Sequence, residues 1–209
     1  MKHPTLQEEK KLWKRGYKKV AGIDEAGRGP LCGPVVAGAV IIRRSDLRKN
    51  IWRSDLRYIK DSKQLSAKKR EEFYKILTNH PDIEWGIGLV SEKIIDKINI
   101  LEATKLAMQK EVQKLDRPNF LILDGNFSIK SNVPQKSIIK ADEKVFSCSC
   151  ASIIAKVTRD KLMQKYDQKY PYYGLASNKG YPTDFHRRML KKHGSSKIHR
   201  KSFGPVQEV

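Results

Sequence analysis

The order of apolar runs and amphipathic stretches predicts a chain that alternates between strands and helices. Short runs rich in small and β-branched residues are typical of buried strands, whereas apolar positions repeating every three or four residues are typical of helices. The predicted strands are residues 17–24, 33–42, 85–90, 120–124 and 137–140, and the predicted helices are residues 5–15, 67–78, 91–115, 145–170 and 183–193. This alternation is that of an α/β protein.

Two features modify the pattern. Small residues at the start of the helix predicted at residues 145–170 would permit its close approach to the sheet. Residues 43–60 are polar and contain a near-duplicate, in which residues 44–48 recur as residues 53–57. One pair of copies is too few for a repeat architecture, so we expect a surface excursion with a helical turn.

Acidic residues follow the predicted strands. Asp24 and Glu25 come at the end of the first strand and are followed by glycines, and Asp124 stands before Gly125 in the same arrangement. Asp142 follows the fifth strand. Successive strand side chains point to opposite faces, so we expect Asp24 and Glu25 to converge where their strand ends. Functional crevices of open α/β sheets lie beyond the carboxyl ends of the strands. The alternative is a capped strand end whose acids are solvated.

Adjacent carboxylates repel each other unless a cation lies between them. Mg²⁺, a hard ion that prefers oxygen ligands, is the candidate that this pattern favours. Arg28 lies in the glycine-flanked turn and offers a planar fork suited to phosphate. Ser62 and Lys63, in a loop before a helix capped by Ser66, could also hold a phosphate, although a solvated helix cap explains them equally well.

The charge of the chain changes the picture further. The 209 residues include 43 Lys and Arg against 23 Asp and Glu, which gives a formal net charge of +20. Such an excess favours a polyanionic partner. No apolar stretch is long enough to span a membrane and the N-terminus is no secretory signal, so we expect nucleic acid as the partner and no membrane. Interleaved tyrosines and lysines beyond Pro171 are typical of a nucleic-acid-binding face.

The three cysteines form no recognisable framework. Cys32, Cys148 and Cys150 are too few for a disulfide scaffold, and the Cys148-x-Cys150 spacing is not that of a zinc site. We expect reduced, semi-buried thiols in a cytoplasmic protein.

Several separated motifs resemble the type II ribonuclease H family, its bacterial ribonuclease HII members in particular. The resemblance extends from about residue 17 to residue 206. It rests on residues 22–29 with 33–37, 61–65, 99–100 with 103–108, 123–125, 151–160, 179–181 and 199–203. The resemblance implies an RNase H-like fold: a mixed central β-sheet flanked by helices on both faces, with a helical C-terminal part. One catalytic domain would cover residues 1–209, with an N-terminal helix at about residues 1–16 and a substrate-contacting part at about residues 171–209.

The resemblance also implies an active site. Four carboxylates, Asp24, Glu25, Asp124 and Asp142, would bind two divalent ions, Mg²⁺ or Mn²⁺. In the two-metal scheme Asp24 would bridge both ions, Asp142 would complete the site that activates the attacking water, and Glu25 with Asp124 would hold the ion at the leaving oxygen.

The substrate implied is an RNA/DNA hybrid, or duplex DNA with an embedded ribonucleotide, cut to leave a 5′-phosphate and a 3′-hydroxyl. Gly27, Arg28 and Gly29 would surround the ribonucleotide, and Tyr181 would pack against the sugar at the junction with DNA. Ser62 and Lys63 would contact the sugar-phosphate backbone of the substrate. We expect a monomer.

Two departures from the family pattern leave alternatives open. Ala141 replaces the usual glycine, and Glu143 directly follows Asp142, so the fourth ligand could be displaced by one position. The sister type III enzymes carry a separate N-terminal domain and a glutamate as the last acid, which this chain does not match. A basic binding protein without catalysis is the alternative from another class, but a binder of polyanions gains nothing from clustered acids.

Overall fold

A mixed five-stranded sheet forms the centre of the computed structural model, which describes residues 3–43, 55–59 and 62–209. The strands are β1 (Lys19–Ala26), β2 (Val35–Arg43), β3 (Glu84–Val90), β4 (Phe120–Asp124) and β5 (Gln135–Ile138). Their order is β3-β2-β1-β4-β5. The first three pair antiparallel as a meander, whereas β4 and β5 are parallel to β1. The sheet therefore confirms the mixed α/β architecture.

Helices cover the sheet and continue into a helical C-terminal part. They are α1 (Gln7–Lys14), α2 (Ala67–Asn79), α3 (Glu92–Val112), α4 (Ala141–Lys144), α5 (Phe146–Lys169), α6 (Leu175–Asn178), α7 (Asp184–His193) and α8 (Gly204–Gln207). Short 3₁₀ helices lie at Asp55–Tyr58, Ser62–Gln64 and Pro171–Tyr173. Ser66 caps α2 by accepting a hydrogen bond from the amide of Lys69, as its position before an amphipathic segment predicts.

Alternation along the central strand divides the hydrophobic core into two layers. Val20 of β1 packs with α1, α2 and α5 on one face, and Ala21 and Ile23 pack with α3 on the other. A third cluster fills the C-terminal part around Leu31, Met163 and Leu190. Burial on both faces explains why β1 and β2 are apolar without interruption.

Small residues let α5 lie directly against the sheet. A Cβ atom on Gly22 would come within 2.5 Å of the backbone of Ser147 and Cys148, and one on Gly38 within 2.5 Å of the Ala151 carbonyl oxygen. The predicted close approach is confirmed. Cys148 and Cys150 are fully buried at this interface, so the expectation of semi-buried thiols was too weak.

Three differences from the predicted elements affect the position of polar side chains. β1 continues to Ala26, so Asp24 and Glu25 lie within the strand and point to opposite faces. β5 ends at Ile138, and Asp142 therefore lies in the first turn of α4, not directly at a strand end. In α3 the helix is broken at Asn99 (φ 65°, ψ 169°), whose side chain accepts hydrogen bonds from the amides of Leu101 and Glu102 and so caps the second half.

The expected surface excursion at residues 43–60 falls mostly outside the described residues, as does the near-duplicate within it. The described part contains the predicted helical turn, Asp55–Tyr58. Leu56 and Ile59 are buried in the core, so this turn is an internal packing element as well.

Candidate active site

The sheet brings acidic side chains from distant parts of the chain together. β1 and β4 are parallel neighbours, with Ile23 beside Leu123, so the next residues of each strand, Asp24 and Asp124, lie side by side. Asp142 comes from α4, which follows β5 at the same edge. One carboxylate oxygen from each of Asp24, Asp124 and Asp142 lies within 4.8 Å of the others. We call these three residues the carboxylate cluster.

Hydrogen bonds fix the orientation of the cluster. Asp24 Oδ1 accepts from the Glu25 amide at 2.7 Å, and Asp124 Oδ1 accepts from the Ala141 amide at 2.7 Å. The second bond ties the end of β4 to the start of α4, which carries Asp142. Main-chain donors therefore set the positions of two carboxylates before any ligand binds.

Electrostatics make the cluster unfavourable without a cation. Burial, together with the charges of Glu25 and Asp124, raises the pKa of Asp24 well above its usual range. Burial also raises the pKa of Glu25, although Arg28 opposes that effect. Glu25 Oε2 is buried without a hydrogen-bond partner among the described residues. Grouped, partly unsatisfied carboxylate oxygens are the donor set that a hard divalent ion requires, so the residues fit such an ion.

Glu25 lies beside the cluster and is held by a basic neighbour. Its Oε1 is 3.3 Å from Nη1 of Arg28, in the turn that follows β1. The structure thus gathers three of the four predicted acids and places Glu25 next to them.

Burial distinguishes Asp142 from Glu143 as the fourth acid. Asp142 is buried and faces the cluster, whereas Glu143 pairs with Lys140 at 3.1 Å near the surface. The alternative of a displacement by one position is therefore not supported. Lys63 Nζ lies 3.3 Å from Asp142 Oδ2 and its side chain is largely exposed, so this ammonium stands at the mouth of the site.

Ser62 has a different environment from the one that a phosphate ligand needs. It is buried, and its hydroxyl lies 2.8 Å from the hydroxyl of Ser152. Ser152, in turn, hydrogen-bonds Asp24. Arg70 Nη1 donates to the carbonyl oxygen of Ser62 at 2.8 Å. The structure thus places Ser62 in a buried chain that leads to Asp24, and a substrate contact of its own stays a prediction.

Sequence reasoning missed Ser152 as part of the site. It stands in a run of small residues on α5 for which the residue pattern predicted close packing, and in a motif of the family resemblance that assigned it no role. Its role becomes visible because α5 lies against β1 with the Ser152 hydroxyl facing Asp24.

Two of the predicted substrate-binding segments, the turn at residues 27–29 and Tyr181, lie together beside the cluster. A Cβ atom on Gly29 would be 3.7 Å from Cε1 of Tyr181, which places this glycine beside the tyrosine ring. Tyr181 is 42% exposed, and Lys156 Nζ lies 5.9 Å from its ring centroid. Gly27, Arg28 and Gly29 follow β1 directly, so the turn and the tyrosine form one surface adjacent to the acids.

No helix in the described ranges is both long enough and apolar enough to cross a membrane.

Comparison with known proteins gives one consistent result. Residues 21–206 match the family model described as Ribonuclease HII. A Ribonuclease HII from Chlamydia caviae is 46% identical over 202 residues, covering 96% of this chain and 91% of that protein.

Solved structures agree with this result. The ribonuclease H2 of Pyrococcus horikoshii superposes with a TM-score of 0.71 at 34% identity, covering 91% of this chain and 96% of that one. The enzyme in a PCNA:RNase HII complex from Archaeoglobus fulgidus gives a TM-score of 0.70 at 28% identity, over 87% and 93% of the two chains. The RNase H-like fold expected from the motifs is thereby confirmed. On these grounds the chain belongs to the ribonuclease HII family, and it is a ribonuclease of the hydrolase class.

Proposed function

We propose that the protein is an endoribonuclease that hydrolyses the RNA strand of RNA/DNA hybrids and incises duplex DNA on the 5′ side of an embedded ribonucleotide. Its products would carry a 5′-phosphate and a 3′-hydroxyl. The observation that carries the proposal is the carboxylate cluster, whose oxygens lie within 4.8 Å of one another beside the turn at Gly27, Arg28 and Gly29. Membership of the ribonuclease HII family supports the same substrate class.

Asp24, Asp124 and Asp142, with Glu25 beside them, would hold two divalent ions, Mg²⁺ or Mn²⁺. Carboxylate oxygens suit both ions, and the unpartnered Glu25 Oε2 is available as a further ligand atom. When bound, such ions lower the pKa of an attacking water and neutralise charge on the leaving oxygen. The amides of Glu25 and Ala141 keep two of the carboxylates oriented for this task.

Basic side chains around the cluster would receive the phosphodiester. Lys63 is exposed next to Asp142, and Arg28 is partly exposed next to Glu25. Both cationic groups are accessible to a substrate phosphate, while bound divalent ions would replace them as the partners of the buried Asp142 and Glu25 carboxylates. The planar fork of Arg28 suits two phosphate oxygens at once.

Selection of ribose would depend on the turn and on Tyr181. The 2′-hydroxyl is the group that distinguishes RNA from DNA, and it can both donate and accept a hydrogen bond. Main-chain groups of Gly27, Arg28 and Gly29 can meet it closely, because a glycine carries no side chain that would intervene. The exposed ring of Tyr181 would pack against the neighbouring sugar.

The proposal extends to the whole chain. Residues 171–209 would contact the duplex, residues 1–209 would act as one catalytic domain, and the enzyme would work as a monomer in the cytoplasm. Buried free thiols at Cys32, Cys148 and Cys150 are in keeping with a reducing compartment.

A gel assay tests the activity directly. Purified protein is incubated with a DNA duplex that contains one ribonucleotide, with Mg²⁺ and with a chelator instead. We expect incision on the 5′ side of the ribonucleotide when Mg²⁺ is present and no incision in the chelator. An all-DNA duplex of the same sequence is the matched control, and equal cutting of both duplexes would contradict the proposal.

A further inference from the structure

Two fully buried arginines lie behind the substrate surface. Arg159, on α5, and Arg200, near the C-terminus, are 1% and 0% exposed, although buried charges are costly unless they are well satisfied. Burial, followed by the charge of Arg159, lowers the pKa of Arg200 to about 9, which leaves it cationic at neutral pH. Neither residue belongs to the carboxylate cluster, so their burial needs another explanation.

Both guanidinium groups donate to main-chain carbonyl oxygens of one segment, residues 27–34, which we call the arginine turn. Arg200 binds the carbonyl oxygens of Gly27 at 2.6 Å, Arg28 at 2.9 Å, Pro30 at 2.8 Å and Gly33 at 3.0 Å. Arg159 binds those of Pro34 at 3.0 Å and Cys32 at 3.1 Å. Six carbonyl groups of an eight-residue segment therefore point at two buried cations.

This arrangement dictates where the amides of the turn point. In a trans peptide the N–H and C=O groups point in opposite directions. Because the carbonyl groups of Gly27 and Arg28 face Arg200, the amides of Arg28 and Gly29 face away from it. Within the described residues neither amide donates to a protein acceptor. Two unpaired donors are thus presented on the side where the substrate would lie.

Arg159 also contacts the second segment of the proposed substrate surface. This segment is residues 179–181, which we call the tyrosine loop. Its Nη1 donates to the carbonyl oxygen of Lys179 at 2.9 Å. The Leu31 amide adds a direct bond to the carbonyl oxygen of Gly180 at 2.8 Å. The arginine turn and the tyrosine loop are therefore connected through one buried side chain and one main-chain bond.

A buried pair of histidines fixes the other end of the tyrosine loop. Tyr181 O can only accept, so His186 Nδ1 at 3.0 Å donates and His186 Nε2 must accept. His199 Nε2, at 3.1 Å, then donates to it, and His199 Nδ1 accepts from the Ser196 amide at 3.0 Å. Each ring nitrogen has a protein partner.

The same histidines lie close enough to Cys32 to suggest a metal site. Their nitrogens are already used, however, and the neighbouring Arg159 guanidinium donates to the Cys32 carbonyl oxygen. Burial raises the pKa of the Cys32 thiol to about 12, which keeps it protonated. A metal ion bound here would be repelled by the buried guanidinium of Arg159, so the group of Cys32, His186 and His199 has a structural role.

We propose that Arg159 and Arg200 are positioning residues that hold the arginine turn and the tyrosine loop at a fixed separation, and that this separation determines the preference for an isolated ribonucleotide. The inference rests on the proposed function, in which the turn and Tyr181 meet the ribose. A guanidinium fork satisfies several carbonyls in one plane, whereas a lysine ammonium cannot reach them all. Small displacements of such a surface have large kinetic effects.

The test compares Arg200→Lys with wild type on two substrates. One is duplex DNA with a single ribonucleotide, and the other is an RNA/DNA hybrid of the same sequence, both with Mg²⁺. We expect the ratio of kcat/KM values, single ribonucleotide over hybrid, to fall about tenfold. The hybrid offers a ribose in every register, so its cleavage should fall less. Equal losses on both substrates would overturn the proposal.

Two further variants separate positioning from loss of stability. Leu77→Ala truncates a buried side chain in the core layer around Val20, whereas Leu31 of the arginine turn packs in the C-terminal cluster. It should therefore lower the melting temperature while the substrate ratio stays unchanged. If Leu77→Ala lowers the ratio as much as Arg200→Lys, the effect is global and the inference fails. If Arg200→Lys does not fold, Arg159→Lys provides the same test, because it removes hydrogen bonds to both the arginine turn and the tyrosine loop.

A double variant shows whether the arginine acts through the tyrosine. If Arg200 positions the surface that Tyr181 completes, Arg200→Lys should change the ratio little in a Tyr181→Ala background, whereas independent effects would multiply. Wild type that fails to incise at a ribonucleotide would refute the proposed function itself. Wild type that incises with a strong preference, retained in both lysine variants, would refute the positioning role alone.

Discussion

The carboxylate cluster and the pair of arginines behind the arginine turn, Arg159 and Arg200, both bury like charges, but these charges are satisfied in opposite ways. Asp24, Asp124 and Asp142 face one another, and burial with mutual repulsion raises the pKa of Asp24. Arg159 and Arg200 are equally buried, yet between them they donate seven hydrogen bonds to carbonyl oxygens. The acids have the ammonium of Lys63 beside them, whereas the N–H groups of the two arginines are satisfied by main-chain acceptors of the chain itself.

The comparison separates two uses of a buried charge. A group of anions that the protein neutralises only in part is suited to bind a cation from solution. Cations whose hydrogen-bonding capacity is filled by main-chain acceptors instead hold those acceptors in place. The first region would therefore perform the chemistry, and the second would shape the surface that selects where it occurs.

The largest expected effect comes from removing one charge of the cluster. Asp24→Asn and Asp124→Asn remove metal ligands whose ions would supply several kcal/mol of charge stabilisation. We expect Mg²⁺-dependent incision to fall by about a thousandfold or more in single-turnover assays. Duplex binding, measured by fluorescence anisotropy, should remain largely intact because the basic surface is unchanged.

Thermal melting provides an independent readout of the same change. In a chelator, Asp24→Asn relieves repulsion and should melt above wild type, whereas added Mg²⁺ should raise the melting temperature of wild type more than that of the variant. Glu143→Gln, one residue from Asp142 but outside the cluster, is the matched control. Full turnover in either asparagine variant would contradict the assignment of Asp24 and Asp124 as ligands of the catalytic ions.

The second test addresses the packing of the arginine turn. Gly27 has φ +100°, and a Cβ atom there would collide with Nε of Arg159, so Gly27→Ala combines backbone strain with a clash. We expect a loss of about 2–4 kcal/mol in the free energy of unfolding, measured with urea. Gly29→Ala is the matched comparison, because its Cβ would meet Tyr181 at an ordinary 3.7 Å. It should cost about 0.5 kcal/mol or less, and equal costs at both positions would contradict the role of Arg159.

These two regions also differ in how far the sequence could predict them. Acids at the ends of apolar runs are a local pattern, so the order of residues alone was enough to place Asp124 at the end of its strand and Asp24 near the end of its own. The parallel pairing of β1 with β4 could not be read from either strand, and neither could the continuation of β1 to Ala26. Asp142 was predicted as a strand-end acid but reaches the cluster from α4.

The support of the arginine turn was invisible in the sequence for a physical reason. Arg159 and Arg200 occur among many other basic residues, and composition describes all of them as surface charge. Arg159 lies 125 residues from one of its partners and Arg200 173 residues from another, so the bonds exist only after the C-terminal part has packed on α5. Long-range hydrogen bonds to carbonyl oxygens leave no periodic pattern, because every residue has a carbonyl.

The smallest effect concerns the histidines that hold the tyrosine loop. Burial, followed by the charge of His186, lowers the pKa of His199 from 6.5 to about 4. The rings of His186 and Tyr173 pack against it, and the backbone of Ser196 donates to it. A histidine whose pKa is lower in the folded state contributes stability that is present above pH 6.5 and is lost as the pH falls towards 4.

Urea unfolding at about pH 7.5 and about pH 5 should therefore show a loss that includes about 1–2 kcal/mol from this one residue. Other groups titrate over the same range, so the informative quantity is the difference between variants. His199→Gln keeps a donor towards His186 but does not titrate, and its stability should fall less steeply between the two pH values than that of wild type. His193→Gln, at an exposed position on α7, should retain the wild-type slope. If the free energy of unfolding falls equally steeply with pH in all three proteins, acid does not act on the tyrosine loop through His199. The contrast between the carboxylate cluster and the internally satisfied substrate surface would then depend on Arg159 and Arg200 alone.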